Sequence, residues 1–86
     1  MEDLLMGDLK AAQRKTLSAA QMAHAAGLLT NSQWARMKEP HIMTADDQKI
    51  ARSVFEAAKG NPAKEKIAKD FRNAIEAQYK LEETGG

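Results

Sequence analysis

The chain has 86 residues and a formal net charge of +1; 43% of its residues are hydrophobic and 5% aromatic. That length holds one domain with a modest core, to which a partner or a second copy would add stability. The lack of cysteine excludes disulfides and thiolate metal sites, and a composition rich in Ala, Lys, Glu, Gln and Met disfavours sheet and favours helix.

The pattern predicts an all-α fold, a compact bundle of five helices. The first is expected over residues 3–15, with Leu5, Leu9 and Ala12 on one face and Gly7 weakening its start. A second is expected from Ser18 to Ala26. Ser18-x-x-Gln21 has the spacing of a capping box, and Gly27 can take the left-handed conformation that ends a helix. Met22, Ala23 and Ala26 would form its buried face, with His24 on the exposed side.

The third helix is expected to open with Thr30-x-x-Gln33, or with Asn31 or Ser32 as the cap, and to stop at Lys38 or Glu39 before Pro40. Trp34 and Met37 lie three apart and would face inward, Leu29 would enter the same core, and Asn31, Ser32, Gln33 and Arg36 would face outward.

A third capping signal, Thr44-x-x-Asp47, predicts a fourth helix that ends at Gly60. Ile50, Ala51, Val54, Phe55 and Ala58 follow the spacing of a core-facing stripe, and Asp46 and Asp47 suit the positive end of the helix dipole. Asn61-Pro62 reads as a cap followed by a first-turn proline opening the fifth helix. Ile67, Phe71, Ala74, Ile75 and Gln78 share one side of it, with Tyr79 flanking. The expected organisation is a helix-turn-helix domain over 1–60, a C-terminal helix over 61–81 for dimerisation or packing, and a disordered tail over 82–86.

Charge is unevenly placed. Residues 1–9 carry −3, residues 10–43 carry +4 and residues 44–86 carry 0. The positive excess coincides with the two central capping signals, which gives modest support for a polyanion partner. The acidic start MEDLLMGDL is not a secretory signal, and no apolar run approaches membrane-spanning length, so a cytoplasmic protein without a membrane role is expected. His24 and His41 are too isolated for a metal site, and no cofactor is expected. Catalysis finds little footing either: the acid pairs Asp46-Asp47 and Glu82-Glu83 are adjacent and would diverge on a helix, and there is no phosphate loop or nucleophile motif.

The segment from Thr16 to Pro40 fits two descriptions, a helix-turn-helix and an ordinary αα-hairpin with the same caps and turn. Ala23, then Gly27 four residues on, Thr30, Gln33-Trp34 and Ala45-Asp46-Asp47 follow in order and without gaps. This series resembles the phage repressor/Cro type of helix-turn-helix, in particular small phage and plasmid regulators that include those of anti-CRISPR operons. The resemblance covers residues 9–55. The chain departs from it at Met37, where a second aromatic is usual, and at Pro40, where glycine is usual.

The resemblance implies a dimeric regulator on double-stranded DNA. The start of the third helix would enter the major groove, with Gln33 on adenine and Arg36 on guanine, and with Asn31 and Ser32 reading or capping. Arg14, Lys15, Ser18, Lys38 and His41 would hold backbone phosphates, Ser18 through the amides that open the second helix. Two half-sites would be needed for useful specificity, which calls for a homodimer with the fifth helix as its pairing element. A different reading of the same residues is a helical protein-interaction module, such as a phage-encoded inhibitor of a host enzyme or defence complex. The low net charge and the balanced fifth helix favour that one.

Overall fold

The computed structural model describes the backbone of residues 2–39 and 41–85 and the side chains of 9–39 and 41–83. Expectations that rest on the Leu5 side chain and on Pro40 lie outside the described residues. The fold is all-α with four helices rather than five: α1 (Glu2–Ala25), α2 (Asn31–Met37), α3 (Ala45–Ala58) and α4 (Pro62–Gly85).

The difference lies in α1, where the two expected N-terminal helices are one. Between Lys10 and Ala26 there is no glycine or proline to break the ladder. Thr16, at the expected break, turns inward, and its hydroxyl lies 3.0 Å from the Ala12 carbonyl one turn back. The Ser18-x-x-Gln21 spacing therefore falls on the exposed side of a continuous helix and caps nothing. The buried phase of α1 is Ala12, Thr16, Ala20 and Ala23. Met22, expected in the core, falls off that stripe and is 56% exposed.

At Gly27 the chain turns with φ of 78°. The Leu28 amide donates to the Ala23 carbonyl at 2.8 Å and the Gly27 amide to that of His24 at 3.0 Å, the paired bonds of a Schellman stop. Leu28 and Leu29 are then buried. Thr30 opens α2 with both halves of the capping box: its hydroxyl accepts the Gln33 amide at 3.1 Å and its amide donates to Gln33 Oε1 at 3.0 Å. Asn31 and Ser32 are thus inside the helix, and Lys38 is its C-cap.

α3 and α4 open where the sequence places them. The Thr44 amide donates to Asp47 Oδ2 at 2.8 Å, and Asn61 Oδ1 accepts the Lys64 amide at 3.3 Å. α4 runs antiparallel to α1, since Ala11 lies across a groove from Leu81 and Met22 across from Asp70. α4 also packs against α3, and Phe71, Ile75 and Ala68 join Ala51, Val54 and Ala58 in one core with Ala20, Ala23, Leu29 and Met37. Burying a side chain of the size of Phe71 or Ile75 contributes about 1.5–3 kcal/mol. The apolar side of α4, offered by the sequence for pairing, is used within one copy. Of the tail expected to be disordered over 82–86, residues 82–85 continue α4, and the Glu82 carboxylate accepts the Met43 amide at 2.9 Å.

Candidate nucleic-acid interface

α2 is short, and what holds it decides what it can present. Met37 is buried on its inner side. Trp34 is half-buried rather than enclosed, and its ring stacks on His24 with centroids 5.2 Å apart and planes 9° from parallel. His24, expected on the exposed side, is half-buried by that stacking, and its Nε2 lies 3.2 Å from Asn31 Oδ1. An aromatic bracket thus ties the end of α1 to the start of α2.

Asn31 and Ser32 are exposed. Gln33 is half-buried and its Oε1 is engaged by the Thr30 amide. That leaves its amide nitrogen but takes the acceptor that bidentate pairing with adenine requires.

Arg36 is more deeply committed. Its Nε donates to Asp47 Oδ1 at 3.0 Å, and its Nη2 donates to Thr44 Oγ1 at 2.9 Å and to Asp47 Oδ2 at 3.4 Å. Three of five guanidinium hydrogens are in use, so a two-pronged approach to guanine requires release of at least the Thr44 bond. The Nη1 end makes no bond to the protein among the described residues, and the side chain is 40% exposed.

Asp47 is the centre of this cluster and is fully buried. Beside Arg36 and Thr44 it receives His41, whose Nε2 lies 2.9 Å from Oδ1, while His41 Nδ1 lies 2.9 Å from the Glu39 carbonyl. Burial works against the Asp47 charge, but the bonds from Arg36, His41 and the Thr44 amide outweigh it and hold the carboxyl below its ordinary range. The Asp47 contacts push Arg36 further up. For His41, burial lowers the affinity for the proton. Its bonds to the Glu39 carbonyl and to Asp47, together with the Asp47 charge, prevail over burial and over Arg36, so the net shift is upward.

A second chain of bonds pins the connection between α2 and α3 to the long helices. Gln78 is buried and its Nε2 donates to the His41 carbonyl at 2.8 Å and to Glu82 at 3.0 Å. Its Oε1 accepts the Thr16 hydroxyl at 2.8 Å.

The phosphate-holding set is divided. Lys38 is the exposed C-cap of α2, and His41 lies in the connection that follows with its ring nitrogens on Glu39 and Asp47. Lys15 and Ser18 line a different surface, the groove between α1 and α4. Arg14 is exposed on α1. The amides expected to open a helix at Ser18 are inside α1, where each serves the helix ladder, so they form no phosphate site. Sequence reasoning missed Asp47 as a buried anchor, and Thr16, Gln78 and Glu82 as a network. The signal was present in part, because Gln78 is a polar residue set in an apolar stripe.

Two further surfaces are open. The α1–α4 groove, with a volume of about 480 Å³, is walled largely by Ala19, Met22, Ala74 and Ala77 with Lys15 and Asp70 at its rims, and a recess of about 260 Å³ continues it toward Leu81. On the other side of α4, Arg52, Arg72, Glu76 and Tyr79 line a cleft of about 300 Å³ against α3. Among the described residues no helix is long and apolar enough to cross a membrane, and no group of three acidic, histidine or cysteine side chains could hold a metal ion. No family model matches the chain, nor does any curated protein or solved structure.

Proposed function

We propose that the chain is a small sequence-specific DNA-binding regulator of transcription, acting as a repressor and of phage or mobile-element origin. The observation that carries the reading is the α1–Gly27–α2 unit. A Schellman stop and a capping box hold a short helix with Asn31, Ser32 and one end of Arg36 at its outer edge. The resemblance to phage repressor/Cro regulators over residues 9–55 supports the same reading. Direct readout would rest on Asn31, Ser32 and the Nη1 end of Arg36, with Lys38 on the backbone. The fork of Gln33 has a structural task instead. Asp47 and Thr44 would fix the arginine before contact, which reduces the ordering cost of binding. Two copies on a pseudo-palindromic site would supply the remaining specificity.

The second reading, a helical module that binds a host protein, is favoured by the α1–α4 groove, whose alanine walls admit close approach of a helix. A helix-turn-helix can serve either purpose. Selection on random duplex DNA separates the two. The regulator reading expects an enriched sequence whose affinity falls steeply between 50 and 200 mM salt, by roughly 10³-fold or more for six or more phosphate contacts. Ser32→Ala is the clean variant, because Ser32 is exposed and outside the cap, whereas Asn31→Ala also removes the bond to His24 that joins α2 to α1. Failure to enrich any sequence, with no salt-dependent binding of duplex DNA, removes the regulator reading.

A further inference from the structure

We infer that His41 is a protonation-controlled latch on the connection between α2 and α3. Both of its ring nitrogens face groups that only accept: the Glu39 carbonyl at 2.9 Å from Nδ1 and the Asp47 carboxylate at 2.9 Å from Nε2. A neutral imidazole has one N–H and can serve one of these two acceptors, whereas an imidazolium serves both. Asp47 does not supply the missing proton. Its two oxygens already accept Arg36 Nε and the Thr44 amide, as an ionised carboxylate does.

The groups that act on the imidazole come from α2, α3 and the connection itself. α2 contributes Arg36, a like charge held on the same carboxylate. α3 contributes Asp47, and Asp46 sits beside it in the first turn. The connection contributes the Glu39 carbonyl, while Glu82 on α4 holds the Met43 amide and the Gln78 side chain. The upward shift of His41 agrees with this arrangement.

Deprotonation leaves a bare nitrogen lone pair opposite an acceptor at hydrogen-bond distance. The ring must then release either Glu39 or Asp47. Residues 41–43 lie outside α2 and α3, and they are held by the His41 ring, by Gln78 on the His41 carbonyl and by Glu82 on the Met43 amide. Loss of the imidazolium loosens the first of these and exposes the Met43 and Thr44 amides to exchange. A histidine raised above its ordinary value of about 6.5 contributes stability that is complete below that value. The contribution fades as pH rises through the folded-state value, so the latch opens on the alkaline side of about 6.5. The latch works in the chain alone, with no DNA bound.

The test is an NMR titration of the full chain from about pH 6 to about pH 9, above the range of ordinary carboxylates. It follows the His41 ring with His24 as the second histidine, alongside amide exchange at Met43 and Thr44 corrected for intrinsic rate. The expected result is a His41 midpoint above about 6.5, with protection of both amides falling several-fold at the same midpoint. His41→Gln, which keeps a donor that does not titrate, is expected to make that protection independent of pH. Asp47→Asn is expected to lower the midpoint. If Asp47→Asn does not fold, the His41→Gln comparison decides alone. A His41 midpoint at or below about 6.5 overturns the inference. So does protection that stays level through the His41 titration, or the wild-type pH profile persisting in His41→Gln.

Discussion

Arg36 Nε donates to Asp47 Oδ1 at 3.0 Å across the joint between α2 and α3, so the arginine best suited to read a base is also a structural strut. One side chain therefore carries two demands. Its Nε edge and Nη2 hold a buried carboxylate and a threonine, and only Nη1 faces no protein partner among the described residues.

Arg36→Ala is therefore expected to lower stability as well as any DNA affinity. It leaves Asp47 buried with fewer donors, and an under-satisfied buried acceptor costs about 1–3 kcal/mol. Arg36→Lys is expected to recover little, because an ammonium cannot reproduce the Nε and Nη2 geometry. Urea unfolding midpoints of the three proteins check this. Equal midpoints would show that the Asp47 bonds contribute nothing.

Asp47 predicts an acid limb in the stability curve. Its carboxyl lies below the ordinary range in the folded chain, so the unfolded chain binds the proton first. The contribution is present above the ordinary value of about 3.9 and is lost as pH falls through the folded-state value. The midpoint should drop more between about pH 6 and about pH 3 in the wild type than in Asp47→Asn, since other carboxylates act alike in both. Parallel drops would remove Asp47 as the source.

Gln78→Leu breaks the bonds to Thr16, to the His41 carbonyl and to Glu82 in one step. The expected loss is about 1–3 kcal/mol, because the Thr16 hydroxyl and the His41 carbonyl are left without it. Thr16→Val in the same background should cost less than Thr16→Val alone, with a coupling of about 0.5 kcal/mol or more. A double-mutant cycle by chemical denaturation measures it, and strict additivity would mean that the two side chains act independently.

Gly27→Ala tests the turn. A Cβ at Gly27 would meet nothing within 4 Å, so there is no clash to confuse the reading. The cost is that of an L residue at φ of 78°, about 1–2 kcal/mol. Gly60→Ala, at φ of 88° and equally open, should behave alike. A neutral result at Gly27 would mean that the α1–α2 turn relaxes freely.

Local chemistry made much of this fold readable from the chain. Gly27, Thr30 with Gln33, Thr44 with Asp47 and Asn61 with Pro62 act within a turn of their own position, and each stops or starts a helix where expected. The stripes on α3 and α4 were legible for the same reason, as Val54, Ala58, Phe71 and Ile75 show. Ser18 with Gln21 failed as a cap although its spacing is as good. Nothing before it breaks the helix, and the inward-facing Thr16 hydroxyl has an acceptor within reach for its one hydrogen, Gln78 Oε1 at 2.8 Å or the Ala12 carbonyl at 3.0 Å.

The candidate site was legible only as a set of residue types on an outward face. Which of their atoms are taken depends on partners far along the chain, such as Asp47 for Arg36 or Gln78 for the His41 carbonyl. The sequence by itself determined an all-helical chain, three of its helix starts and most of its core stripes, because caps and periodicity are short-range physics. Only the tertiary structure decided that α1 is continuous, that α1 and α3 cover the apolar side of α4, and that Asp47 is the buried anchor of Arg36 and His41. Those outcomes follow from long-range burial, which forces each enclosed polar atom to find a partner wherever the fold supplies one.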